Sequence, residues 1–496
     1  MHSLLSFMVN HYVACDLGAE SGRIILGTLR DNELSLSEAH HFTNTPIEED
    51  GSLQWNIPQL YQETIDGLRI IGGYEETIDS ISCNSWGADY LLFGSDGSLI
   101  TPTFHHGDGR SADGMKKVYS KVPLETVYEE TGVQQMPTNT LFQLGAEKWL
   151  RLRKASHLLP VADAFNYLLA GVPRVEMSLA STTQLYNPVT KAWSERLLDA
   201  VGVPAKLLPP LVHAGTRIGE LRPEIGKETG LGEVSVIASC SHEVAASLVA
   251  LPIHPGETWA YFEPGSVATI GTELPVPLIN DASRTLNFTN EAGYGGTVHL
   301  YKPVPGLWIL DECLRFWQEN QREMDVDLVM HLTGQVNPFE CLIDPTDPRF
   351  AERGDMPSKI QAYCKETDQP VPKKPGAIAR CILESLALSY RKSLCEIESF
   401  TVTKISRLYI LPGTSNLMLN HFTANALNVP AVLAPPNAAA IGNVMVQALA
   451  LGHIKTLEEA REIVRRSVKL EAIIPHATPW DAAYERFLAI SEVPAK

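Results

Sequence analysis

The sequence predicts an α/β protein of at least two domains, and three observations carry that prediction. The chain has 496 residues, more than a single hydrophobic core usually serves. Short apolar runs rich in β-branched and aromatic residues alternate with longer amphipathic stretches. A strand–glycine turn–strand unit beginning at Tyr12 has a fainter echo at Thr258–Ile270, which suggests two related halves. The expected division is 1–250 and 251–496.

Taken in order, Tyr12–Cys15 reads as a strand, Arg23–Leu29 as its hairpin partner and Glu33–Phe42 as a third strand. A helix is expected from Pro58 to about Ile70, then strands at Ile78–Cys83 and Tyr90–Phe93, the latter closed by the Ser95–Gly97 turn. Residues 115–200 read as mostly helical. Val234–Ser239 is a buried-strand run that ends in Cys240-Ser-His-Glu243, with a helix over Val244–Ala250. In the second half, Thr258–Phe262, Val267–Ile270, Arg407–Leu411 and Ala431–Leu433 read as strands. Residues 376–400, 417–428 and 438–451 read as helices, and two more helices close the chain.

Composition narrows the class. Hydrophobic content of 44% and charged content of 20% suit a globular core. A formal net charge of −18 with no offsetting basic stripe argues against nucleic acid as a partner. Eight scattered cysteines without a CxxC pair read as buried, reduced thiols in a cytoplasmic protein. Residues 1–10 lack the basic and cleavage-like features of a signal peptide and read as a lead-in, and no run reaches the ~18 apolar residues of a membrane span.

The most informative stretch is Asp16-Leu-Gly-Ala-Glu-Ser-Gly-Arg23. A strand that ends in an acid, followed by a glycine turn and small polar residues, can bring backbone N–H groups close to a phosphate chain while the acid meets a metal ion or its water shell. Gly18 and Gly22 serve equally well for a plain tight hairpin. The stretch is not a Walker A loop, since no Gly-Lys-Ser/Thr follows, and not a dinucleotide fingerprint, since a strand rather than a helix comes next. His105, His106 and Asp108 lack a further residue in suitable spacing for a metal site.

Further segments carry a family resemblance: Ser85–Tyr90 (SWGADY), Gly107–Arg110 (GDGR), Thr138–Leu144 (TNTLFQL), Ala180–Asn187 (ASTTQLYN), Ala238–Ala246 (ASCSHEVAA), Thr289–Gly293 (TNEAG), Gly306–Trp308 (GLW) and Ala438–Gln447 (AAAIGNVMVQ). Together with Asp16–Arg23, and in this order from about residue 12 to 452, the chain resembles the FGGY family of carbohydrate kinases. The resemblance implies two actin-like (ribonuclease-H-like) domains with an interdomain cleft, sugar held mostly by the first and ATP mostly by the second, and Mg²⁺ as the accompanying cation. It implies ATP-dependent phosphorylation of a ketose hydroxyl. It also assigns residues. Ala19, Glu20, Ser21, Gly22 and Arg23 match the first phosphate loop, with Asp16 near the metal. Trp86, Gly87, Asp108, Arg110 and His242 match sugar-contacting positions, and Glu243 matches the general base. Gly265, Ser266, Asp311, Gly413 and Asn443 fall on nucleotide-side positions. Gly442 and Asn443 suit a flat base packed against their helix.

Several of these positions depart from the family pattern. Glu243 replaces an aspartate, Pro303 a sugar-contacting asparagine, and Asp311 a nucleotide-contacting glutamine. Pro412-Gly413-Thr414 replaces a triple glycine, and Ser266 replaces a threonine. Two readings stand at this point: a kinase with Glu243 as base, or a non-catalytic relative that binds sugar or nucleotide. An actin-like ATPase outside sugar metabolism fits less well, because Trp86, Gly87, Asp108 and Arg110 match on the sugar side. The sugar's identity and the oligomeric state are not legible.

Overall fold

A computed structural model describes residues 9–74, 76–320, 324–413, 416–476 and 479–491. It is mixed α/β and divides into two compact units. Unit 1 comprises residues 1–254, 273–300 and 437–469, and unit 2 comprises residues 255–272, 301–436 and 470–496. The chain first passes from unit 1 to unit 2 after residue 254, and two later segments return to the first unit.

Unit 1 is built on a six-stranded sheet of β1 (Val9–Leu17), β2 (Ser21–Arg30), β3 (Glu33–Thr43), β4 (Ser80–Ser85), β5 (Thr216–Glu220) and β6 (Ser235–Ala238), in the order β5-β6-β4-β1-β2-β3. The β1–β2–β3 meander is antiparallel, while β1, β4 and β6 run parallel. Val13, Cys15 and Leu17 enter one apolar core with Ile57, Leu60 and Phe165. Their neighbours Tyr12 and Ala14 enter another, with Ala246, Ile441 and Val444. Burial on both faces explains why β1 reads as a continuous apolar run rather than an alternating one.

The second face is covered by helices Glu243–Val249 and Ala438–Ala450. At their crossing a Cβ on Gly442 would lie 1.8 Å from the Ala246 carbonyl oxygen, so only glycine permits this approach. That packing ties residues 437–469 to unit 1.

In unit 2, β7 (Trp259–Glu263) and β8 (Val267–Leu274) form an antiparallel hairpin, and β7 pairs in parallel with Arg407–Ile410, which in turn pairs with Ala431–Leu433. Hairpin plus parallel neighbour repeats the β1–β2–β4 arrangement, giving the faint sequence echo a structural counterpart. The 27-residue helix Pro375–Thr401 buries Ile378, Ile382, Leu386, Tyr390 and Ile397, with the Tyr390 ring 4.7 Å from that of Phe262.

Residues 115–200 are mostly helical, as expected, with short strands between the helices. His157–Pro160 forms a strand antiparallel to Tyr90–Phe93. Its short apolar run carries no periodicity that separates strand from buried helix. Among the described residues, no helix is long and apolar enough to cross a membrane.

Candidate functional site

In unit 1 three turns lie at the carboxyl ends of the neighbouring parallel strands β1, β4 and β6, the edge where open α/β sheets bind ligands. The first is Gly18–Glu20, the tip of the β1–β2 hairpin. The Gly18 N–H donates to the Ser21 carbonyl at 2.9 Å, and the Asn44 side-chain amide donates to the Gly18 carbonyl at 3.0 Å. Glu20 is exposed, so its carboxylate is solvated at the tip. Asp16 sits just below and is buried. Its Oδ2 accepts from Arg23 Nη2 at 2.5 Å, across the ladder position where the two residues pair, and its Oδ1 accepts from Asn84 at 2.6 Å. Arg23 also donates to Asn437 at 2.7 Å.

The second turn follows β4. The buried Trp86 donates its indole N–H to Asp89 Oδ2 at 2.8 Å. The same oxygen meets Trp55 Nε1 at 2.7 Å and His106 Nδ1 at 2.8 Å, while Gln143 donates to Oδ1 at 3.1 Å. Asp89 is thus a buried hub that fixes two indoles and a histidine. Ala88 has φ +73°, a left-handed conformation held by Thr140 and Gln143, which both donate to its carbonyl. His105 stacks on His106 at 4.1 Å, and burial, then the neighbouring imidazole, lowers its pKa.

The third turn is Ser239–His242, which leads into the helix that opens with Glu243. The Ser85 N–H donates to the Ser241 carbonyl at 2.8 Å, which sets this turn against the second one. Two buried acids hold it from behind. Ser241 donates its N–H to Glu176 at 3.0 Å and its hydroxyl to Asp163 at 2.8 Å. Ser178 donates its hydroxyl to Glu176 and accepts the His242 N–H at 3.0 Å. Burial raises the pKa of Glu176 to about 7, and burial plus the nearby Glu176 raises that of Asp163 well above the carboxylate range. His242 Nδ1 lies 3.3 Å from Glu291 Oε2, within the Thr289–Ala292 strand. Glu243 itself is half-buried in the helix's first turn.

Unit 2 has its own candidate site at the β7–β8 turn, Pro264-Gly265-Ser266. Leu307 and Trp308 donate their N–H groups to the Gly265 and Ser266 carbonyls at 2.8 and 3.1 Å. These bonds seat the helix Trp308–Asn320 on the turn. The Ser266 hydroxyl donates to Asp311 Oδ2 at 3.2 Å, and burial raises the Asp311 pKa. A Cβ on Gly413 would lie 2.3 Å from the Pro264 carbonyl, so backbone meets backbone there. A pocket of about 460 Å³ opens beside the turn, lined by Ser266, Pro303, Gly306, Trp308, Asp347 and Phe350 among others.

Two family models match the chain: the N-terminal domain of the FGGY family of carbohydrate kinases over residues 11–250, and its C-terminal domain over residues 261–451. The chain belongs to the FGGY family of carbohydrate kinases. It is 38% identical over 485 residues to a rhamnulokinase of Bacteroides thetaiotaomicron, covering 97% of this chain and 99% of that one. It is 35% identical to a rhamnulokinase of Enterococcus faecalis, covering 97% and 98%. Among solved structures, a gluconate kinase from Lactobacillus acidophilus superposes with a TM-score of 0.80 at 14% identity, covering 97% and 98%. A Plasmodium falciparum glycerol kinase with ADP superposes with a TM-score of 0.78 at 12% identity, covering 98% and 99%. At such identities the structures establish the two-domain actin-like fold. The full-length relatives and both domain models make this FGGY chain a sugar kinase, a phosphotransferase, and they lend nothing to the non-catalytic reading.

Within this FGGY fold the structure distributes the sequence-derived candidates unevenly. Asp16, Ala19, Glu20, Ser21, Arg23, Trp86, Gly87, His242 and Glu243 share the carboxyl edge of the unit 1 sheet. Gly265, Ser266 and Asp311 share the unit 2 turn. Gly22 is a ladder residue opposite Leu17, and a Cβ there would strike the Phe42 ring at 2.3 Å, so packing alone requires this glycine.

Asp108 and Arg110 are engaged within the fold. Asp108 accepts the N–H groups of Leu53 at 2.7 Å and Arg110 at 2.9 Å. The Arg110 guanidinium lies 3.7 Å above the Phe104 ring and 3.6 Å from Glu147. Asn443 is fully buried, donating to Asn84 at 2.8 Å and to the Ser82 carbonyl at 3.3 Å, and Gly442 packs on Ala246. Those two residues therefore help dock their helix on unit 1. Thr414 lies outside the described residues.

Sequence reasoning missed Asp89, Asp163, Glu176 and Glu291. Isolated acids in apolar stretches carry no spacing signal, although Asp89 and Glu291 lie inside the segments SWGADY and TNEAG.

Proposed function

We propose that this protein transfers the γ-phosphoryl group of ATP, with Mg²⁺ as the accompanying cation, to a hydroxyl of a ketose of the rhamnulose class. The full-length likeness to proteins named rhamnulokinase supports the choice of sugar. One observation carries the reading: Glu243 opens the helix that follows β6, next to His242 and beside the turn that holds Trp86 and Gly87. A carboxylate so placed accepts the proton of a sugar alcohol as the alcohol attacks phosphorus. His242, steadied by Glu291 and Ser178, and the backbone of Gly87 orient the sugar. Trp86 offers an apolar wall whose tilt is fixed by Asp89. ATP is a cytoplasmic metabolite, and the reading places the reaction in that compartment.

The Asp16 site suits Mg²⁺ through water. Each carboxylate oxygen already accepts one hydrogen bond and keeps a lone pair for a water of the metal's hydration shell. When bound, Mg²⁺ neutralises charge on the β- and γ-phosphate oxygens. On the nucleotide side, Ser266 and the neighbouring backbone meet the phosphates. Asp311 is easier to protonate there than an exposed carboxyl, which lessens its repulsion of ATP.

The test is ADP release in a coupled assay over a panel of ketoses, with Glu243→Ala as the comparison. We expect saturable turnover on a rhamnulose-class ketose, and a loss on the order of 10²–10⁴ in kcat for the variant, the usual share of a general base. Equal rates for wild type and Glu243→Ala on every sugar would reject the assignment.

A further inference from the structure

Beside the turn that holds Trp86 and Gly87 stand two consecutive histidines that the chemistry of phosphoryl transfer does not use. The rings of His105 and His106 stack with centroids 4.1 Å apart, and His105 lies in turn 4.4 Å from Trp55. Trp55 is 4.5 Å from Trp86, so the four rings form one aromatic group. Both imidazoles are half-buried and keep some contact with solvent. Their backbone is held against the neighbouring segment. The His105 N–H donates to the Leu53 carbonyl at 3.0 Å, the Trp55 N–H donates to the Thr103 carbonyl at 2.8 Å, and Asp108 accepts the Leu53 N–H at 2.7 Å. The pair is therefore preorganised rather than carried on a free loop.

Hydrogen bonds give the two rings opposite tautomers. His105 Nδ1 accepts the Gly107 N–H at 2.7 Å, so the proton of the neutral ring sits on Nε2, a donor. His106 Nδ1 meets Asp89 Oδ2 at 2.8 Å. That oxygen also takes the indole N–H groups of Trp55 and Trp86, which fixes it as an acceptor. The proton of His106 therefore sits on Nδ1, and Nε2 keeps its lone pair as an acceptor. Burial, then the adjacent imidazole, lowers the His105 pKa, which keeps that ring neutral at neutral pH. A donor and an acceptor on stacked rings, next to apolar indoles, match a vicinal diol, in which one hydroxyl accepts and its neighbour donates. A phosphate or a carbonyl offers acceptors alone and satisfies half of the pair.

We propose that His105 and His106 form a diol-reading subsite that sets which ketose the kinase accepts, with His105 Nε2–H donating to one hydroxyl and His106 Nε2 accepting from its neighbour. This rests on the kinase reading above, with the sugar at the turn of Trp86 and Gly87. Asp89 acts through His106 as a positioning residue, because it holds the tautomer. A ketose that lacks either hydroxyl leaves a polar ring atom without its partner, and such a loss discriminates among sugars more sharply than apolar contact does.

The experiment compares His105→Asn and His106→Asn with the wild-type chain in steady-state assays on its best ketose and on monodeoxy analogues of that sugar. Asparagine keeps the bond inside the protein and removes only the reading atom: its Oδ1 replaces Nδ1 toward Gly107, and its Nδ2 replaces Nδ1 toward Asp89. We expect each variant to raise the sugar KM about tenfold, the worth of one hydrogen bond, with kcat and the KM for ATP little changed. Wild type should lose a similar factor when one of two neighbouring hydroxyls is removed, and the matching variant should lose little more on that analogue. Unchanged sugar KM in both variants, or the same penalty on every analogue, overturns the subsite. Should a variant fail to fold, imidazole nitrogen-15 NMR of the wild-type chain decides: the ketose must shift both Nε2 resonances, and resonances that ignore it overturn the subsite. A wild type that turns over no ketose defeats the kinase reading instead. Calorimetry of the ketose panel with the same chains then decides, supported by tighter binding to wild type and overturned by equal affinities or by none.

Discussion

Glu243 is one methylene longer than the aspartate of the family pattern, and that difference decides how the site is tuned. The extra reach is ~1.5 Å, and a misplacement of ~1 Å at a reacting centre costs on the order of 100-fold. The Ser239–His242 turn is fixed by Glu176, Asp163 and Ser178, so it has little freedom to follow a shorter side chain. We therefore expect Glu243→Asp to lower kcat by on the order of 100-fold with little change in sugar KM. A rate gain in steady-state assays would instead mark Glu243 as a defect in the site.

Asp311 gives the second residue-scale prediction. Its carboxyl pKa is raised by burial, so lowering the pH protonates it before exposed carboxyls and removes a negative charge next to the proposed nucleotide subsite. KM for ATP should fall as pH is lowered into that range. Asp311→Asn should lower it on the order of threefold to tenfold at neutral pH, the scale of one partly screened charge pair, and flatten its pH dependence. An unchanged KM profile in the variant would remove Asp311 from the subsite.

At the scale of elements, close packing of backbone is what holds the helix Ala438–Ala450 on unit 1. Alanine is the better helix former by about 1 kcal/mol, yet a Cβ at 442 meets the Ala246 carbonyl at 1.8 Å. Overpacking wins here, because the obstacle is backbone and cannot rotate away. Gly442→Ala should lower unfolding free energy by about 1–3 kcal/mol net, read as a shift in denaturant midpoint with unchanged slope.

The elements also mark how far the sequence could be read. The β1–β2 hairpin, the β7–β8 hairpin and the long helix at Pro375–Thr401 were legible, since strand composition, glycine turns and helical periodicity are local signals. His157–Pro160 was not, because a four-residue apolar run owes its strand state to Tyr90–Phe93, far away in sequence. At the candidate site, the motif residues around 16–23, 86–87 and 242–243 were legible as types at spacings. Their supports at Asp89, Asp163 and Glu176 were not, because a buried acid is recognised only by the donors that surround it. The packing and hydrogen-bond partners of Gly22, Asp108 and Asn443 were likewise invisible in the sequence, because they come from distant segments.

For the whole molecule, the buried pair Asp163 and Glu176 couples stability to pH. Glu176 has a folded-state pKa of about 7, above its ordinary value. At pH below the ordinary value both folded and unfolded chains hold the proton, and the group contributes no difference. As pH rises toward 7 the unfolded chain ionises first, so stability falls, and above that range the penalty is constant. It is on the order of 3 kcal/mol for Glu176. Glu176→Gln keeps a neutral acceptor for Ser178 and Ser241. Its advantage over wild type should be nil in mild acid and grow to that size by neutral pH in chemical denaturation. A constant difference across the range would place the proton elsewhere.

The return of residues 437–469 to unit 1 has a consequence for synthesis. The helix that covers one face of the β1–β4 region is among the last segments to leave the ribosome. Until then Tyr12, Ala14, Ile25 and Leu29 lack most of their apolar cover, for nearly the whole time the chain is being translated. A nascent polypeptide of this kind invites holdase chaperones, and a premature stop before codon 437 should yield insoluble product even though most of unit 1 has been made.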